Sequence, residues 1–228
     1  MKRLAVAIAL CAGLLGPASG VSADEPWTFN AFQGAILNLR LTEEPPPAEA
    51  AALVALSNDL DKIRARYVQK FGEAADDSAA LTKNLPAVYV TSMQSDFTSL
   101  RTLPPEADRR LSILQDLSQD LHIKAQFVAS GLGLTGDFPA VISVKVNTVD
   151  AHGKNVSGLW VRCNPARYGV TSNPIFVFNG ASTPTKTMLP PGNFVLWAED
   201  AQRHVVSSQP IQLGTSGAAS EEINFALP

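Results

Sequence analysis

An α+β fold is predicted for this chain: an N-terminal helical bundle or hairpin, then an antiparallel seven-stranded β-sandwich. Two changes along the sequence carry that expectation. Up to about residue 130, apolar residues recur every three or four positions, the period of a helix that buries one face. After Phe138 the period becomes two, as in strands that bury one side. The glycine-rich stretch "GLGLTG" at 131–136 separates the two regimes.

The first residues read as an export signal. Lys2 and Arg3 form a basic start, residues 4–15 an apolar run, and Val21-Ser22-Ala23 a small-residue cleavage site. Cleavage after Ala23 is expected, with residues 1–23 as signal peptide and a bacterial periplasmic or secreted destination. The apolar run is short for a bilayer span, which takes about 20 residues, so an uncleaved anchor is the weaker alternative. A lipid anchor on Cys11 is weaker still, because Leu10 rather than a small residue precedes it. No later segment reads as a membrane span. Of the 228 residues, 205 remain once the first 23 are removed. Of the 18 basic residues, Lys2 and Arg3 leave with the signal, so 16 face 21 acidic ones, a formal charge of −5. A mildly acidic chain without a basic cluster points away from nucleic acid. Cys163 alone survives cleavage, so no internal disulfide is expected.

The helical region is placed at 24–130. Trp27, Phe32, Ile36 and Leu39 suggest a first helix. Leu53, Leu56, Leu60, Ile63, Tyr67 and Phe71 make one stripe of a long second helix, opened by "PPPAEA" at 45–50 and stopped at Gly72. Val90, Met93, Phe97 and Leu100 suggest a shorter helix. Leu111, Leu114, Leu121, Ala125 and Val128 form the last stripe, opened by "LPPEAD" and closed near Gly131. Stripes this wide must bury against something, and an antiparallel bundle does so most simply.

A linker at 131–137 leads to the β region, 138–228. Ile142, Val144, Val146 and Thr148 alternate with Ser143, Lys145 and Asn147. The turn "DAHGKNVSG" follows, then "LWVRC", "IFVF", "NFVLWA", "PIQLG" and "EINFAL", with weaker candidates at Thr185–Leu189 and 204–207. In "LPPGNFVLWAED" the two prolines and Gly192 end one strand and launch the next. Gly192 is expected to need a positive φ there.

Asp150 with Gly153, Gly158 with Val161, and Leu189, Pro191, Gly192 and Phe194 form a pattern over residues 140–228. It resembles the carboxypeptidase regulatory-like, prealbumin-like (transthyretin-like) β-sandwich family. The resemblance implies a sandwich that binds or supports rather than catalyses. This chain lacks an Asp-Gly hairpin just before the Pro-Gly turn and carries a longer polar stretch at 179–187. Prealbumin-like hydrolases end in Tyr-Arg-Gly-Ser, whereas this chain ends "INFALP".

Chemistry-bearing motifs are sparse. "GLGLTG" matches Gly-x-Gly-x-x-Gly, but it follows a helix and precedes a strand, the reverse of a dinucleotide cradle. His122, His152 and His204 have no metal-like spacing. No catalytic residue, cofactor site or metal site is assigned. Cys163 shares a strand face with Leu159 and Val161, which reads as a buried thiol, with a reactive one as the alternative.

Strand parity supplies the one binding lead. If Phe194, Leu196 and Ala198 face the core, then Trp197 faces outward, and Trp160 and Arg162 do so on their own strand. Either the helices cover both tryptophans, or the two rings form an exposed platform beside Arg162. The expected function is therefore a non-catalytic secreted or periplasmic interaction module that binds another envelope protein or itself. A polysaccharide ligand on Trp160, Arg162 and Trp197 is the alternative. A periplasmic hydrolase using one of the histidines as a base is a further one.

Overall fold

The computed structural model describes residues 25–42, 44–130 and 141–228. The signal segment 1–23, its cleavage site, and the 131–137 linker with "GLGLTG" lie outside the described residues. Among the described residues the protein is mixed α+β, with five helices followed by a three-stranded and a four-stranded sheet.

The helices are α1 (Phe29–Thr42), α2 (Pro47–Phe71), α3 (Ser78–Asn84), α4 (Ala87–Arg101) and α5 (Ala107–Ala129). Pro47 opens α2, where its missing N–H costs nothing. Gly72 closes it at φ +86, its N–H donating to the Val68 carbonyl at 2.8 Å. The stripes read from the sequence meet in one apolar core: Phe32 and Ile36 of α1, Leu53, Leu56 and Ile63 of α2, Met93 and Phe97 of α4, Leu114 and Leu121 of α5. Leu111 is a correction, being half-buried at the edge while Leu117 is buried in the stripe. Helix α3 had no place in the sequence reading. Seven residues are too few to show a stripe, and its signal is the Asp77 cap, whose carboxylate accepts the Ala80 N–H at 2.8 Å. None of the described helices is long and apolar enough to cross a membrane.

The strands are β1 (Ile142–Val149), β2 (Trp160–Pro165), β3 (Phe176–Val177), β4 (Thr185–Leu189), β5 (Gly192–Glu199), β6 (Val205–Leu213) and β7 (Ser220–Ala226). They form sheets of order β4-β1-β7 and β3-β2-β5-β6. Val144 and Val146 of β1 and Phe225 of β7 share one apolar core with Val161 and Cys163 of β2 and Phe194 and Leu196 of β5. Burial pushes the Cys163 thiol pKa upward, so the thiol is kept protonated.

Two features depart from the expected antiparallel strands. First, β1 and β7 pair in parallel, Ser143 beside Ser220 through Val149 beside Ala226. β6 delivers the chain to the end where β1 begins, since a Cβ on Gly214 would lie 3.2 Å from Ile142. A short crossing then starts β7 alongside β1 and in its direction. Side-chain periodicity records which face is buried, not which way a strand runs. Second, the segments 204–207 and "PIQLG" are one strand, running through Pro210. β6 lies at the sheet edge, where a residue without an N–H is tolerated.

The helices sit against one end of the sheets. Phe127 of α5 enters the sheet core, and Val141 packs on the helical core. α5 also contacts β5 and the 3-10 turn Ala166–Tyr168 that follows β2. That turn is where the two halves share charges.

Candidate functional site

The outer face of the four-stranded sheet gathers Trp160, Arg162 and Trp197. The register places them in two adjoining rows: Trp160, Glu199 and Val205 in one, and Val177, Arg162, Trp197 and Ser208 in the next. The inner face of β5 holds Phe194, Leu196 and Ala198, all in the core, so strand alternation turns Trp197 and Glu199 outward as expected.

Contacts tie these side chains into one chain. The Trp197 indole N–H donates to Glu199 Oε1 at 2.8 Å. Arg162 Nε lies 3.4 Å from Glu199 Oε2, and its guanidinium sits 5.4 Å from the Trp160 ring centroid. Arg162 therefore stiffens both the ring and the carboxylate.

A two-ring platform is not what this face presents. Trp160 is 38% exposed, whereas Trp197 is 0% exposed. A buried indole needs a partner for its N–H, and Glu199, itself buried, supplies it. Parity set the direction of Trp197, while its burial comes from neighbours that parity does not see. What remains outside is Trp160, with Val177 and Val205, each 48% exposed, on the two edge strands of the same face. Trp197→Ala is accordingly expected to cost about 3–4 kcal/mol through the cavity it leaves. A urea midpoint equal to that of wild type would mean the ring contributes nothing to packing.

A second constellation went unseen in the sequence. Arg167, in the 3-10 turn after β2, reaches into the helices. Its Nη2 donates to Asp96 Oδ1 at 2.5 Å and to Ser95 Oγ at 3.0 Å, and its Nε to Ser99 Oγ at 2.9 Å. Its Nη1 is 3.5 Å from Asp116 and 3.9 Å from Asp120. Lys124 bonds Asp120 and lies 3.1 Å from Asp96. Asp120 Oδ1 also accepts the Asn193 N–H of β5 at 2.8 Å. Burial raises the carboxyl pKa of Asp120 to about 6 against the pull of Lys124, and raises that of Asp116 as well. The Lys124 pKa is raised too, because Asp120 and Asp96 outweigh its burial. A signal was present: Asp116, Asp120 and Lys124 follow at i, i+4 and i+8, one position behind Leu117, Leu121 and Ala125. Charges beside a buried stripe read as its solvated margin unless something packs over them.

The histidines stay apart. His122 Nδ1 pairs with Asp59 of α2 at 3.0 Å and its Nε2 with Gln126 at 2.8 Å. It borders a shallow groove lined by Ala48, Ala51, Ala55 and Ser118. His204 meets Asp200 in an exposed turn, and His152 lies exposed in the β1–β2 connection. Among the described residues, no three His, Cys, Asp or Glu side chains are placed to hold a metal ion.

No protein-family model matches the chain. No curated protein matches it either.

Proposed function

We propose that the protein is an exported binding module of the bacterial envelope, built on a prealbumin-like sandwich, that docks another envelope protein or a second copy of itself. The docking face is the outer side of β3-β2-β5-β6. One observation carries this reading: Trp160, Val177 and Val205 expose apolar surface together, around a centre whose charges are already paired within the sheet. A partner covering them gains apolar burial without having to desolvate an unpaired charge. Tryptophan is also the side chain most often found at the energetic centre of interfaces. The Leu189-Pro190-Pro191-Gly192 turn, which bears the family resemblance, links a strand of one sheet to a strand of the other, which supports the sandwich assignment. The basic start, apolar run and small-residue site at 1–23 support export.

Trp160→Ala tests the reading, because a half-exposed ring can be removed at little cost to the fold. The variant is expected to keep the wild-type unfolding free energy, measured in urea, to within about 1 kcal/mol. It should lose most of its cross-linking to envelope proteins and any concentration-dependent self-association. Unchanged cross-linking and unchanged sedimentation would remove this face from the proposal.

A saccharide ligand is the second reading. It is favoured by a half-exposed indole with a guanidinium over its ring and that guanidinium's carboxylate partner on the neighbouring strand. Quenching of tryptophan emission by envelope polysaccharide, abolished by Trp160→Ala, would select it over a protein partner.

A further inference from the structure

The five charges where helices meet sheets do not balance. Asp96 comes from α4, Asp116, Asp120 and Lys124 from α5, and Arg167 from the turn after β2. Three carboxylates face two cations, an excess of one negative charge when all are ionised. The side chains of Asp96, Asp120, Lys124 and Arg167 are at most 3% exposed, and only Asp116, at 21%, reaches the rim. The charges acting on Asp120 are those of Lys124, Asp96 and Arg167. Among the described residues, the cluster also faces Tyr89 of α4, whose pKa is raised by burial and by Asp96 and Asp120, Tyr168, bonded to Ser99 at 2.7 Å, and Arg109 of α5, which lines a cavity with Arg167 and Tyr168. From β5 comes the Asn193 backbone N–H, held by Asp120.

We propose that this cluster is a proton-operated clamp between the helices and the sheets: one proton taken up by Asp120 removes the excess charge and tightens the joint, and its release loosens it. Asp116 and Asp120 lie one helical turn apart and share Arg167 Nη1, at 3.5 and 3.9 Å. Neither distance is a hydrogen bond, and Arg167 Nη1 and Asp116 Oδ2 are buried without a hydrogen-bond partner. A single guanidinium nitrogen therefore serves two anions poorly. Protonating Asp120 leaves Arg167 Nη1 to Asp116. The clamp does not depend on what binds the sheet face. In an exported protein it would sense the pH outside the cell.

The sign follows from burial. Both carboxyl pKa values are raised in the folded protein, that of Asp120 to about 6, above an unfolded value of about 3.9. Protons are then held more tightly in the folded state, so the stabilisation is complete below the unfolded pKa and is lost as pH rises through about 6. From pH 8 to pH 5 the unfolding equilibrium constant should fall about tenfold.

Urea unfolding of the full chain across pH 5–8 tests this. The wild-type midpoint is expected to rise toward pH 5. Asp120→Asn keeps the acceptor for Asn193 and should flatten that rise. Asp116→Asn, at the accessible rim, should flatten it too, and it decides the matter if Asp120→Asn does not fold. Asp200→Asn, in the exposed β5–β6 turn, should leave the slope as in wild type. Hydrogen exchange at the Asn193 amide, corrected for its intrinsic pH dependence, should be slower at pH 5 than at pH 7.5. A wild-type midpoint that is flat or falls toward pH 5 would overturn the clamp, as would a wild-type slope in both Asp116→Asn and Asp120→Asn.

Discussion

Arg167→Ala is expected to lower stability by about 4 kcal/mol at neutral pH, within the range for removing one partner of a buried ion pair. The guanidinium holds Asp96 at 2.5 Å and lies within 3.9 Å of Asp116 and Asp120. Its loss leaves two buried carboxylates, Asp96 and Asp120, and the half-buried Asp116 with one ammonium, Lys124. It also leaves the Ser95 and Ser99 hydroxyls without their shared donor. The destabilisation should shrink at pH 5, where protonated carboxyls need less compensation. Asp96→Asn added to Arg167→Ala should restore part of the lost stability, because the two side chains form one unit. A single-variant loss below about 1 kcal/mol would show that water reaches the carboxylates and that the joint is not a closed ionic core. A large loss would not make the cluster net stabilising: a buried charge network can cost as much to desolvate as its pairs return.

Gly192→Val is expected to cost about 4 kcal/mol or more, from two sources. Gly192 has φ +151, where side chains bring strain of about 1–3 kcal/mol. A Cβ at this position would also overlap the Asp120 carboxylate, with the Phe194 ring at 3.4 Å closing the other side. The chain cannot accept even a methyl group without moving a buried charge away from Lys124 and the Asn193 N–H. A double-mutant cycle separates the two causes. Gly192→Ala should be far less costly when Asp120 is already alanine, leaving only the backbone contribution. If Gly192→Ala costs the same in both backgrounds, Asp120 is not what keeps the position small. If Gly192→Val unfolds at the wild-type midpoint, neither cause operates.

Gly192 also shows how far a reading by period reaches. The Pro-Pro-Gly turn was legible, and so was the strand it launches. The reason for glycine was incomplete, because its tightest neighbour is Asp120, 72 positions earlier. Trp160, Arg162 and Trp197 were correctly gathered on one face by alternation, yet alternation could not separate an exposed ring from a buried one. The segments 204–207 and "PIQLG" read as two strands, and the place of β6 at the sheet edge is what lets one strand run through Pro210. Helix α3 left a capping residue as its trace, and Asp116, Asp120 and Lys124 left an i, i+4, i+8 line. Both signals are local and cheap, so neither could be told from an ordinary polar surface.

The sequence by itself determined the change from helices to strands, the buried stripe of the main helices and the alternation of faces along the strands. These follow from the 3.6- and 2-residue repeats of the backbone, which every short window of residues expresses. Tertiary structure alone decided that β7 runs parallel to β1, that Trp197 is covered, and that three carboxylates, a lysine and an arginine meet between helices and sheets. Those outcomes rest on pairs such as Arg167 with Asp96 and Asn193 with Asp120, 71 and 73 residues apart. Desolvation acts on a charge through whatever is packed around it, and a chain brings such neighbours together only when it closes on itself.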